Sequence, residues 1–226
     1  MSKNACLILS VVTAAVMSTA VARAEAPLHD SNLIPWYRDV RGPGCSPTDD
    51  SVGVITADTL PTVALYQHNR SGSPTPAASC RPLLAPDGHQ LTLGEFKAVV
   101  GGALVKCIAE GSHTVLRFSG LQLNGVYNVW LAVVNPNPAS GGPYLSAGSL
   151  GKAALSENRV LVSAAGDGQI TRVTPEQDQS VAGHIGACAL DSAIEIHLVY
   201  HNDQQTHGPV PGPQDTWVVN ARFRIP

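Results

Sequence analysis

One stretch constrains the fold more than any other: residues 126–134, where Tyr127, Val129, Leu131 and Val133 alternate with Val126, Asn128, Trp130, Ala132 and Val134. Successive side chains of a strand point to opposite faces, and here both faces are largely apolar. A strand of that kind is central to its sheet and covered on both sides. Its neighbours in sequence read as strands too. Residues 103–109 and 113–119 form a hairpin through Glu110-Gly111, with Thr114, Leu116 and Phe118 on one face and Val115, Arg117 and Ser119 on the other. Residues 159–163 and 169–174 form another, closed by Gly166-Asp167-Gly168, and 193–201 and 216–225 are the last two strands.

A first strand pair is expected at 51–55 and 62–67, and the proline-rich stretch 69–86 is expected to be a loop, as is 135–152. The spacing predicts one short helix over 91–100. Thr92 and Glu95 have capping-box separation, Phe96, Val99 and Val100 supply an apolar side, and Gly101-Gly102 reads as the stop. Many short strands, one short helix and no repeating βαβ unit predict a mainly β chain, an antiparallel β-sandwich of Ig-like or jelly-roll-like type.

Residues 1–24 have the layout of a secretory signal: Lys3, an apolar or small stretch from Ala5 to Val21, and the small-x-small pattern Ala22-Arg23-Ala24. Cleavage after Ala24 leaves an irregular leader over 25–50, in which Trp36 and Tyr37 are expected to tuck against a single domain spanning 51–226. No later stretch is apolar for the roughly 20 residues a bilayer span needs. Without Lys3 and Arg23 the chain carries twelve basic and seventeen acidic residues, with no patch of either sign. That balance argues against nucleic acid or an anionic membrane as partner, since both call for a basic face.

Cysteine usage agrees with export. Cys6 leaves with the signal, and Cys45, Cys80, Cys107 and Cys188 form an even set without the close spacing of zinc or redox motifs. Two disulfides are expected. Four cysteines allow three pairings, and Cys45 with Cys80 and Cys107 with Cys188 is the preferred one.

Three runs resemble a group of secreted bacterial β-rich proteins described only as hypothetical: 89–96 (HQLTLGEF), 120–130 (GLQLNGVYNVW), and 201–208 (HNDQQTHG) with Pro211-Gly212. The resemblance covers about residues 85–226. It implies export and a β-rich domain, and no activity or ligand. The middle run is also similar to Leu-x-Pro-Gly-x-x-Tyr-x-x-Trp strands of Ig-like domains, which implies structural roles for Tyr127 and Trp130.

The strongest chemical cluster is His197, His201, Asp203 and His207, at a strand end and the loop after it. Imidazole and carboxylate are ligands of Zn²⁺ and Cu²⁺. In an extended strand His197 and His201 lie about 13 Å apart at 3.3 Å per residue, too far to share an ion. His201, Asp203 and His207 remain the candidate metal ligands, with Asn202 and Asp203 also suited to forming the turn. His184 is a further donor by type. For nucleophilic catalysis the nearest pattern is 147–151 (AGSLG), which lacks the first glycine and the strand-turn-helix context of an elbow. The acids Glu195 with Asp191, and Glu110 near Arg117, read as solvated charges. Gly101-Gly102 and Gly166-Asp167-Gly168 lack the context of phosphate cradles.

The sequence therefore predicts a secreted or periplasmic non-catalytic binding module, whose loops 135–152 and 202–215 meet a glycan, a peptide or another envelope protein. Tyr144 and Trp217 are its aromatic contacts if exposed. The alternative is an extracytoplasmic Cu²⁺ or Zn²⁺ binder using His201, Asp203 and His207, and an enzyme is the third reading.

Overall fold

The computed structural model describes residues 33–37, 39–46, 49, 51–68, 80–108, 111–135, 137, 144–151, 157–175, 194–208, 210, 212–213 and 216–225. Twelve strands and one helix are present among them. They are β1 (Ile34–Pro35), β2 (Val40–Arg41), β3 (Tyr66–His68), β4 (Cys80–Pro82), α1 (Leu93–Lys97), β5 (Val100–Ile108), β6 (Gly111–Ser119), β7 (Val126–Val134), β8 (Tyr144–Ser149), β9 (Arg159–Val162), β10 (Gly168–Pro175), β11 (Ile194–His201) and β12 (Trp217–Ile225).

The protein is mainly β, as expected, with antiparallel sheets curled into a half-barrel. The larger sheet runs β1-β12-β11-β7-β9-β10-β6-β5, with β8 also on β7; the smaller is β2-β3-β4. β7 holds the centre. It pairs with β11 along one edge, while its other edge is shared by β9 at Tyr127 and Asn128 and by β8 from Trp130 to Val134. Its double-sided apolar sequence matches that position, since Val126, Tyr127, Val129, Trp130, Leu131 and Ala132 are all buried.

The main core lies inside the curl, where Tyr127, Val129 and Leu131 of β7 meet Ile196, Leu198 and Tyr200 of β11, with Leu116, Phe118 and Phe223. The Tyr127 and Tyr200 rings sit 5.2 Å apart. At the turn before β7, Asn124 takes φ 59° and the Tyr127 hydroxyl accepts a hydrogen bond from Gln122 N at 3.0 Å. That bond ties the Tyr127 ring to the chain five residues upstream and pins the turn into β7.

Several local expectations are corrected. The pairing of 51–55 with 62–67 does not form; 51–53 is a turn, and β3 pairs instead with β2, inside the expected leader, and with β4, inside the expected loop 69–86. The stretch 135–152 contains β8, because β7 has an unserved edge beyond Val129 and β8 fills it. The helix has its capping box, with Thr92 Oγ1 accepting from Glu95 N and Thr92 N donating to Glu95 Oε2, but it spans only Leu93–Lys97. Gly101 and Gly102 are not its stop. They lie within β5, where a Cβ on Gly101 would stand 2.5 Å from Arg117 O and 3.0 Å from the Phe118 ring. The glycine is there for close packing, not for ending a helix.

Trp36 and Tyr37 do tuck in. Trp36 N donates to Asn220 O at 3.1 Å, and Tyr37 lies 6.5 Å from Phe96, ring to ring. Cys45 and Cys80 form a disulfide beside the small sheet. The side chain of Cys107, and Cys188 altogether, lie outside the described residues, so the second expected bridge is not addressed.

Candidate metal centre

β11 turns Ile196, Leu198 and Tyr200 into the core. Strand alternation therefore puts Glu195, His197, Val199 and His201 on the opposite face. His201 ends the strand, paired with Val126 of β7 on one side and Trp217 of β12 on the other. Its side chain is fully buried, and neither ring nitrogen has a hydrogen-bond partner. Burial, with a smaller push from His207 and against the pull of Asp203, lowers its pKa to about 4. At neutral pH the ring is uncharged, the form in which imidazole binds a metal.

The chain after His201 folds back on itself. Asn202 N donates to Thr216 O at 3.0 Å, Gln204 N donates to His201 O at 3.2 Å, and Gln204 takes φ 58°. Asp203 Oδ1 accepts from Gln205 N at 3.1 Å, so Asp203 does form the turn the sequence suggested. The fold-back carries His207 round to Asp203, with Nε2 to Oδ2 2.8 Å, and sets its ring 5.8 Å from that of His201. His201 Nδ1 stands 4.0 Å from Asp203 Oδ1. Gly212, at φ +81°, packs its backbone directly on the His207 ring: a Cβ there would lie 2.2 Å from Cδ2.

One donor atom from each of His201, Asp203 and His207 lies within 4.8 Å of the others. Bonds of 2.0–2.2 Å in tetrahedral array want donors about 3.4 Å apart, so a contraction of up to about 1.4 Å brings the three onto one ion. Two of the three donors sit on the loop, which is the part able to make that movement. Three protein ligands leave one coordination position open. The surroundings agree: on the same face, Trp217 Nε1 opposite His201 and both amide atoms of Asn128, one diagonal step away, are buried without partners.

His197 does not join this group. It belongs to a second polar cluster at the other end of β11, which sequence reasoning missed. Glu195 is 1 % exposed; its Oε2 accepts from the Tyr144 hydroxyl at 2.7 Å and from His197 Nε2 at 3.1 Å, and its Oε1 accepts from Arg222 Nη1 at 2.6 Å. Burial works to raise its pKa, but the three hydrogen bonds and the guanidinium charge outweigh it and hold the carboxyl at about 2. The Tyr144 hydroxyl is pushed up, first by burial and then by that carboxylate. Arg222 lies 4.4 Å from the centre of the Trp36 ring. Glu195 was expected to be a solvated charge, and the structure corrects this. With both oxygens hydrogen-bonded, to three donors in all, it is a structural anion, not a free acid or base. The only signal for it was a Glu one strand step from a His in an otherwise apolar strand.

The remaining sequence candidates divide simply. Ser149 closes β8, so a strand stands where the sequence suggested a loop, and residues 152–156 beyond it lie outside the described residues; Gly166 and Asp167 make the turn between β9 and β10. Tyr144 and Trp217 are both half-buried, and Tyr144 spends its hydroxyl on Glu195. Glu110, His184 and Asp191 lie outside the described residues, as do parts of the loops 135–152 and 202–215. No helix among the described residues is long and apolar enough to cross a membrane. No protein-family model matches the chain, and no curated protein matches it significantly.

Proposed function

We propose that this chain works outside the cytoplasm as a metal-binding protein whose ligand is a Zn²⁺ or Cu²⁺ ion held by His201, Asp203 and His207. One observation carries the reading: three side chains of metal-ligating type gather within 4.8 Å, and the most buried of them has no other partner for either nitrogen. Satisfied histidines in a core donate or accept at least once; His201 does neither. The mixed imidazole and carboxylate set suits Zn²⁺ and Cu²⁺ over Ca²⁺ or Mg²⁺, which take oxygen ligands. The secretory layout of residues 1–24 and the Cys45–Cys80 disulfide support an extracytoplasmic setting.

The test is titration of the mature protein, residues 25–226 with its disulfides formed, with Zn²⁺ and with Cu²⁺. One ion per chain with a submicromolar Kd, lost in His201→Ala and in His207→Ala, supports the reading. Absence of stoichiometric uptake overturns it and returns the protein to the broader class of interaction modules with a glycan, peptide or protein ligand.

A further inference from the structure

The metal loop does not stand alone on the large sheet. Gln67, on β3 of the small sheet, is 2 % exposed, and its amide reaches both residues that bracket His201. Gln67 Nε2 donates to the carbonyl of Trp217, the residue opposite His201 in the β11-β12 register, at 3.0 Å. Gln67 Oε1 accepts from the Asn202 side chain, the next residue in the chain. A second link runs parallel to it: Val219 N of β12 donates to Asp39 Oδ2 at 3.2 Å, while Asp39 O accepts from His68 N of β3 at 2.9 Å. The small sheet that carries these contacts has strands of two and three residues, too little to hold itself together. What fixes it covalently is the Cys45–Cys80 bond, and Cys80 pairs in register with His68, beside Gln67.

We infer that Gln67 is a positioning residue of the metal centre, and that through it the Cys45–Cys80 bond sets the metal affinity of His201, Asp203 and His207. The inference rests on the metal-binding reading above. Its physical content is preorganisation. Two of three ligands lie on a loop that leaves β11 at Asn202, so the angle at which that loop departs decides whether Asp203 and His207 meet His201. Gln67 clamps that point from both sides, and the disulfide holds Gln67 in place. Partners that orient metal ligands without touching the ion change affinity about 10- to 100-fold when removed.

Zn²⁺ alone is the probe, titrated into the mature disulfide-bonded chain and into Gln67→Ala, Gln67→Glu, the double variant Cys45→Ala/Cys80→Ala, and Tyr144→Phe. Gln67→Ala and the double cysteine variant are expected to bind Zn²⁺ about 10- to 100-fold more weakly. Gln67→Glu keeps the acceptor for Asn202 but loses the donor to Trp217 O, and is expected to fall between Gln67→Ala and the wild type. Tyr144→Phe removes a buried hydrogen bond at the far end of β11 and is expected to lower thermal stability while leaving Zn²⁺ affinity within twofold, which separates positioning from general loosening. If the wild type binds Zn²⁺ in a His201-dependent way but Gln67→Ala binds equally well, the positioning role is overturned while the metal reading stands. Weaker binding in the cysteine variant alone, with Gln67→Ala unchanged, overturns it as well. If the cysteine variant does not fold, the two Gln67 variants decide. A wild type that takes up no Zn²⁺ defeats both readings together.

Discussion

Glu195 offers the sharpest test of the electrostatics of this protein. Its carboxyl moves from an ordinary 4.5 to about 2 on folding, because three donors converge on a buried anion. A group whose folded pKa is depressed contributes stability that is present above its unfolded pKa and lost as pH falls through the folded one. The full shift corresponds to about 3 kcal/mol, of which about 2 kcal/mol is already lost at pH 3. The perturbation is Glu195→Gln. The amide still accepts from Arg222 through one oxygen, but presents donors to the Tyr144 hydroxyl and His197, and carries no charge to titrate. At pH 7 the variant should be less stable than the wild type by about 3 kcal/mol, since the buried carboxylate's contribution is removed and the half-buried Arg222 guanidinium loses its counter-ion. Urea unfolding measured every half unit from pH 7 to pH 2.5 gives both curves. The gap between wild type and variant should narrow by about 2 kcal/mol between pH 5 and pH 3. Curves that stay parallel over that window would refute the claim that Glu195 is held ionised by its neighbours.

Three further outcomes are expected. Gly212→Ala places a methyl group 2.2 Å from His207 Cδ2 and must drive the ring off Asp203, so Zn²⁺ affinity should fall at least tenfold; Gly88→Ala, at a similar φ with nothing within 4 Å, is the control that isolates this contact from backbone strain. Tyr127→Phe removes the acceptor of the Gln122 amide and should cost about 1–3 kcal/mol in urea unfolding with the fold retained. Loss of the Cys45–Cys80 bond, which closes a span of 35 residues, should cost about 4 kcal/mol by chain entropy, read as a lower unfolding midpoint in the Cys→Ala double variant.

The candidate centre was partly legible in the linear chain. His201, Asp203 and His207 stand close in sequence, and strand rise alone removed His197 from their company. The turn at Asp203 followed from its side-chain chemistry. What no spacing conveyed is that His201 is buried without a partner, or that Gly212 seats the His207 ring, because both depend on chain that arrives from β12 and from the loop before it. The Glu195 cluster was less legible still: of its three donors only His197 is near in sequence, while Tyr144 and Arg222 are 51 and 27 residues away.

The sequence by itself determined the class of fold and most of its strands. Period-two patterning and turn chemistry are local, so the hairpins β5-β6 and β9-β10, the central β7 and the strands β11 and β12 were each visible within their own short stretch of chain, and so was the capping box of α1. Tertiary structure decided the rest. β2 and β4 exist as strands only because β3 stands between them, and β8 only because β7 has an open edge; two- and three-residue strands have no period to read. Gly101-Gly102 looked like a stop because a glycine's local meaning is freedom, whereas its meaning here is the 2.5 Å that a neighbouring carbonyl leaves for it. The placing of Gln67 between Asn202 and Trp217 belongs to the same class, a contact across more than a hundred residues that only the packing of one sheet on another can make.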